Sequence, residues 1–167
     1  MTFYEEIAKL KTTLRKGWLM RNVGEFARVE SDAEHTFSMM MLALEIMSKE
    51  KTNLDQLKVL KMIAYHELGE IDFGDITPFD NVPKEEKHKK ELACVERLAS
   101  EYNMPEIKEL WLEFEENTTP EAKFVKEIDK YDAVMQSKVY SKTLGDDIYN
   151  EFHNSCKFSD KYVKFDL

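Results

Sequence analysis

With 167 residues, 43% hydrophobic and 34% charged, the chain is long enough for one domain built round one substantial core. Only 5 Gly and 4 Pro, among long stretches rich in Glu, Lys, Leu, Ala and Met, predict an all-α fold. The net charge of −9 argues against a nucleic-acid duplex as main partner, because no basic surplus neutralises phosphates; a small phosphorylated ligand stays open, since a metal supplies positive charge locally.

Two cysteines, Cys94 and Cys156, without CxxC spacing, suit a reducing cytoplasm. The longest apolar run, Met39 to Leu44, is too short to span a bilayer. Glu5 and Glu6 interrupt any signal-peptide order at the N-terminus. The expectation is a cytoplasmic protein with no membrane partner.

In chain order, residues 2 to 14 predict a first helix with Phe3, Ile7, Leu10 and Leu14 on one face. Arg15-Lys16-Gly17-Trp18 breaks it, and a loop runs on to Glu30 in which Arg15, Arg21 and Arg28 are candidate anion binders. Ser31-Asp32-Ala33-Glu34 is a capping box opening a helix to about Lys49. His35 stands in its first turn and shares a face with Met39, Leu42 and Ile46. A histidine on so apolar a face is either a core residue held by a carbonyl or a ligand pointing into a polar pocket.

Leu54 to Leu68 predicts the third helix, whose run Val59, Met62, Ile63 brings out His66 on the buried side near its end. From Tyr65 to Thr77 the chain sets His66 beside Glu67, Glu70, Asp72 and Asp75. Gly69 is read as loosening the helix end, and Gly74 as the tight turn that presents Asp75. Imidazole plus carboxylate is a ligand set for a divalent ion of the Mn, Fe, Co, Ni or Zn group; the plainer alternative is a core histidine beside a solvated helix end.

The loop from Asp72 to Val82 is long enough to be functional. Lys84 to Tyr102 predicts a charged helix whose run Lys84 to Glu91 reads as a solvated face with i,i+4 pairs; His88 inside it is not counted as a ligand. Asn103 and Pro105 start a helix to about Glu116, with Ile107, Leu110, Trp111 and Phe114 facing the core. Thr119-Pro120 caps a helix to about Tyr140 with Ala122, Val125, Asp129, Asp132 and Gln136 on one stripe. Asp129 is expected to point inward, where carboxylates are paired or metal-bound. The tail, 144–167, holds a short helix and aromatic residues suited to cover the core or a second subunit.

Four stretches carry a family resemblance: Gly17-Trp18 with Arg21-Asn22, Glu30 to His35, His66 to Pro78 with Asn81 to His88, and Glu121 to Lys130. In that order they resemble the HD-domain metal-dependent phosphohydrolases, closest to the 5′-deoxynucleotidase branch, over roughly residues 7–140. The resemblance implies a helical bundle of six or seven helices and one divalent metal ion (Co, Mn, Zn, Fe, Ni or Mg). Its ligands, a histidine, a His-Asp pair and a distal aspartate, fall on His35, His66-Glu67 and Asp129. This chain departs from the pattern at Glu67, where the family has aspartate; the carboxylate keeps its charge on an arm one methylene longer.

The implied activity removes the 5′-phosphate from (deoxy)nucleoside monophosphates through a metal-activated water. Glu70 is the candidate acid–base group, Asp75 a sugar contact or its assistant, Arg15 the phosphate clamp, and Trp18 either a wall of the sugar pocket or a core residue. Dimers are common in the family that the chain resembles and the aromatic tail suits such a contact, but nothing in the pattern demands a homodimer. Hydrolysis of deoxynucleoside triphosphates or another small phosphoester, a non-catalytic nucleotide- or metal-binding domain, and a helical scaffold without a site are the competing readings.

Overall fold

Helices make up the regular structure of the protein in the computed structural model, which describes residues 1–75 and 80–159; Ile76 to Phe79, and with them the Thr77 and Pro78 end of the central motif, lie outside the described residues, as do Tyr162 and Phe165 of the tail. Among the described residues eight α-helices run as α1 (Phe3–Lys9), α2 (Lys16–Leu19), α3 (Asp32–Lys49), α4 (Gln56–Tyr65), α5 (Lys84–Glu101), α6 (Pro105–Glu116), α7 (Pro120–Leu144) and α8 (Asp146–Ser155). Short 3-10 turns fill Val23–Glu25 and Leu68–Glu70.

The caps read from the sequence set several of these boundaries. Ser31 Oγ accepts from the Glu34 amide at 3.3 Å while the Glu34 carboxylate accepts from the Ser31 amide at 2.9 Å, starting α3. Thr119 Oγ accepts from the Ala122 amide at 3.2 Å and starts α7.

Several boundaries differ from expectation, among them the end of α7, which runs on to Leu144. The first helix ends at Lys9 and residues 10–12 turn, the Thr12 amide donating to the Lys9 carbonyl at 3.0 Å, so that the chain after them pairs with residues 30–32: the Asp32 amide donates to the Thr13 carbonyl at 2.9 Å and the Arg15 amide to the Glu30 carbonyl at 3.0 Å. Residues 16–19, expected to break a helix, form α2 instead, which raises the count from six or seven to eight. The third expected helix stops at Tyr65, with His66 as its cap, and tightens at Leu68–Glu70 into the 3-10 turn.

Packing places the site. Met39, Met62, Ile63, Phe114, Val125 and Ile128 join α3, α4, α6 and α7 in one apolar cluster. Leu10, Leu68, Ile71, Leu98, Ile107 and Trp111 join α1, α5 and α6 in a second. A third gathers Trp18, Val23, Val29 and Tyr140, with Phe152 of α8 lying 4.6 Å from the Trp18 ring, so this part of the tail covers the chain's own core. Fully burying each such aliphatic or aromatic side chain stabilises by roughly 1.5–3 kcal/mol.

Gly69 has a different task from the one expected. A Cβ there would lie 2.8 Å from Glu91 Cβ and 3.2 Å from Glu91 Cα, so the missing side chain lets the 68–70 turn rest directly on α5. Gly69→Ala is expected to cost about 1–3 kcal/mol by overpacking, read as a shifted urea midpoint at unchanged slope.

The same segment is tied to α1 and α5 by charge. Arg97 donates to the buried Glu6 carboxylate at 2.8 Å and to Asp72 at 2.8 Å, and Lys9 reaches Glu6 at 2.7 Å. The Arg97 bond is the main reason that the Glu6 carboxyl is held below its usual range. A lowered carboxyl contributes stability that is complete above the unfolded value and lost as pH falls through the folded one. Arg97→Met is therefore expected to cost about 1–3 kcal/mol at pH 7, and the gap from wild type should close in melts below about pH 4. Among the described residues no helix is long and apolar enough to cross a membrane.

Candidate active site

A cavity of about 640 Å³ opens among α2, α5, α6 and α7, and at its base the predicted residues from distant parts of the chain meet. His35 comes from the first turn of α3, and its Nδ1 is 2.7 Å from Asp132 of α7, which fixes the ring. His66 caps α4, its Nδ1 2.6 Å from the Ile63 carbonyl. With both Nδ1 atoms engaged, each ring turns Nε2 toward the cavity floor. Those two Nε2 atoms are buried and have no hydrogen-bond partner.

Glu67 follows in the bridge region of backbone space (φ −93°, ψ 0°), which swings its side chain inward. Its Oε1 lies 3.3 Å from His66 Nε2, 3.7 Å from His35 Nε2 and 2.6 Å from Arg15 Nη1. One ligand atom each from His35, His66 and Glu67 lies within 4.8 Å of the others. Asp129 stands beside this trio, its Oδ1 3.3 Å from His35 Nε2 and its exposed third part of the cavity wall. The longer arm of Glu67 thus still delivers an oxygen between the imidazoles.

The charges explain one another. Burial and Arg15 both oppose a proton on His35, but the Asp129 and Asp132 carboxylates outweigh them and push it up to about 10. Burial would raise Asp129, yet His35 and His66 hold it down to about 2. Burial likewise opposes ionisation of Glu67, and Arg15 with the two histidines overcomes it. Burial also works against the Arg15 charge, but Glu67, Asp129, Asp75 and Asp32 raise its pKa further.

Beside the trio lies a second carboxylate group, Asp32, Glu70 and Asp75, again with one oxygen each within 4.8 Å of the others. Burial, followed by repulsion from Glu67 and Asp75, pushes the Glu70 carboxyl far above the carboxylate range. Asp32 is fully buried and raised by burial and by Glu67. Neither Asp32 oxygen, nor Glu70 Oε2, has a hydrogen-bond partner. Gly74 at φ +75° makes the turn that presents Asp75, whose Oδ2 accepts from the Lys16 amide at 2.7 Å and so ties the 66–75 segment to the start of α2.

Of the three arginines read as anion binders, the structure brings only Arg15 to the cavity. Arg21 is spent on Glu151 at 2.5 Å and on the Gly17 carbonyl at 2.8 Å, and Arg28 pairs with Glu34 on the surface. Trp18 is 4% exposed in the third apolar cluster and also edges the cavity, its Nε1 donating to Glu30 at 2.7 Å.

Several residues in or behind the cavity are not assigned to the site by sequence. Spacing puts Asp132 on the right stripe but does not pair it with His35; Glu30 and Asp32 read only as motif and cap. The face from Lys84 to Glu91 is not wholly solvated, because Lys84, Lys87, His88 and Glu91 line the cavity. A signal for this was available in Trp111 and Phe114, since a helix packed over those two must turn one side toward them. His88 rests 5.3 Å from the Trp111 ring and 3.6 Å from Glu115, away from the trio's atoms.

Comparison with known proteins bears on the family of the chain. The HD domain family matches residues 7–165. A 5′-deoxynucleotidase, hdd1, of Schizosaccharomyces pombe is 37% identical over 147 residues, covering 84% of this chain and 71% of its own. The 5′-deoxynucleotidase HDDC2 of Homo sapiens is 35% identical over 143 residues, covering 84% and 67%. A solved structure from Magnetospirillum magnetotacticum called a "predicted metal-dependent phosphohydrolase" superposes with a TM-score of 0.66 at 28% identity, covering 81% of this chain and 67% of its own. A conserved hypothetical protein from Pyrococcus furiosus gives 0.74 at 27% identity, covering 91% and 84%. Both the sequence match over nearly the whole length and the shared helical architecture lead to one assignment: the chain belongs to the HD-domain family.

Proposed function

We propose that the protein is a metal-dependent phosphomonoesterase that releases phosphate from (deoxy)nucleoside 5′-monophosphates. The observation that carries the reading is the pair of buried, partnerless Nε2 atoms on His35 and His66, converging with Glu67 at the base of a cavity. Two unpaired nitrogens and a carboxylate oxygen fit a divalent cation, since leaving such atoms buried and unsatisfied otherwise costs about 1–3 kcal/mol each. His35, His66, Glu67 and Asp129 would hold it, and when bound it supplies Lewis acidity and a water of lowered pKa.

The chain's own residues do the rest. Arg15 presents a permanent guanidinium at the floor, where it takes phosphate oxygens and neutralises Glu67. Burial and the repulsion of its neighbours keep a proton on Glu70, so it serves as the acid that protonates the leaving 5′-oxygen or orients the water through that proton. Asp75, close to Glu70, orients the sugar or assists that transfer, and Trp18 with Phe152 closes the cavity on the side of α2 and α8. The names of the relatives support a 5′-deoxynucleotide as substrate. The free thiols of Cys94 and Cys156 support a reducing, cytoplasmic place, and the exposed apolar side chains Phe37, Met41 and Val139 support association with a second copy.

The test is a panel of deoxynucleoside and ribonucleoside mono- and triphosphates incubated with the protein and Co²⁺ or Mn²⁺. Inorganic phosphate from monophosphates is the expected product. Pyrophosphate or triphosphate from the triphosphates would instead favour the other hydrolase reading, and tight nucleotide binding without turnover under any divalent ion the regulatory one.

A further inference from the structure

The charged run on α5 has no place in the reading above, yet part of it touches the acid–base group. Lys87 Nζ lies 3.6 Å from Glu70 Oε1 and 3.3 Å from Glu91 Oε1, and the side chains of Glu70 and Glu91 are only 7% and 12% exposed. Lys87 and Glu91 are one helical turn apart, so their pairing is set by α5 itself. Glu91 is also the residue on which the turn carrying Glu70 rests, because Gly69 gives it room to approach. Glu70 is thereby fixed at its backbone by Glu91 and at one carboxylate oxygen by Lys87. The other oxygen is buried and without a hydrogen-bond partner.

We infer that Lys87, braced by Glu91, is a positioning residue that holds the Glu70 carboxyl group in its reactive orientation. This rests on the assignment of Glu70 as the acid–base group. Without the ammonium, Glu70 would be free to rotate about its side-chain torsions, and a displacement of the order of 1 Å in such a group costs about a hundredfold in rate. A solvated lysine on a helix face would have no such effect.

Kinetics separate the two. Lys87→Met should lower kcat for phosphate release about 10- to 100-fold with KM for the nucleotide within about threefold of wild type. Lys87→Arg should recover most of the loss. In a Glu70→Gln background, Lys87→Met should cost almost nothing further, since it acts through Glu70. An equal loss in both backgrounds, or a KM effect without a kcat effect, overturns the inference.

A crystal structure of metal-free Lys87→Met gives a readout independent of turnover. The Glu70 carboxylate should leave its wild-type position, and an unmoved carboxylate contradicts the proposal. If wild type releases no phosphate from any substrate, the hydrolase reading fails on that result, while the crystallographic comparison still decides whether Lys87 positions Glu70.

Discussion

Glu70→Gln is expected to lower kcat for phosphate release by about 10²–10⁴-fold, the range that a positioned general acid–base contributes. Glutamine preserves shape and hydrogen-bonding capacity but can neither carry nor accept the transferred proton. Because Glu70 is outside the His35, His66 and Glu67 trio, metal content should stay at the wild-type level. The fold should hold, since burial and Glu67 already keep this carboxyl uncharged and the amide that replaces it is uncharged too. A melting temperature equal to or above wild type, with activity nearly gone, is the combined outcome to look for. Full activity in this variant would transfer the proton to another group, with Asp75 next in reach.

The second large effect is on stability. Arg15 is the cation that lets two inward-facing acids coexist: it bonds Glu67 at 2.6 Å and lies 3.9 Å from Asp32. Arg15→Met in the metal-free protein takes from the buried Glu67 its closest cation and leaves it only the two imidazoles, for which the expected loss is about 3–5 kcal/mol. The sign with pH follows from Glu67, whose carboxyl burial would raise but which Arg15 and the histidines hold down. The contribution of Arg15 is present above the ordinary glutamate pKa and disappears as pH falls through the lowered value. Urea unfolding at neutral pH should therefore show the full loss, shrinking in acid. Added Mn²⁺ should restore part of it, because a cation at the trio takes over the neutralising role. The same variant should bind inorganic phosphate more weakly. An unfolding curve unchanged from wild type would mean that Glu67 gives up its charge or finds another cation.

How much of this could be read from residues alone follows the range of the forces involved. Caps act over three residues, so Ser31, Thr119 and the starts of their helices were legible. The inward face of α3 follows from spacing, and with it the direction of His35. The resemblance to a known family joined His35, His66-Glu67 and Asp129 across the chain, which periodicity on its own does not do. What escaped was set by contacts between elements. The pairing of Asp132 with His35 needs α3 laid against α7, and the extended backbone at residues 13–15 needs the strand-like contact with 30–32. Gly69 looked like a weak helix end because the close approach of α5 cannot be seen from local sequence. The inward side of the Lys84 to Glu91 run was hidden for the same reason: alternating charge reads as solvated until another element covers it. Glu67 shows the opposite case, a departure plain in the sequence whose consequence needed coordinates, since only geometry puts its oxygen between the two imidazoles.

Equilibrium dialysis of the metal-free protein against Mn²⁺ or Co²⁺, repeated with His35→Ala and His66→Ala, tests most directly whether these imidazoles and Glu67 share a cation. The expected result is saturable uptake by wild type that either histidine variant loses while its helical circular dichroism remains. Uptake by both variants equal to that of wild type would contradict the shared site, and with it the chemistry assigned to the cavity.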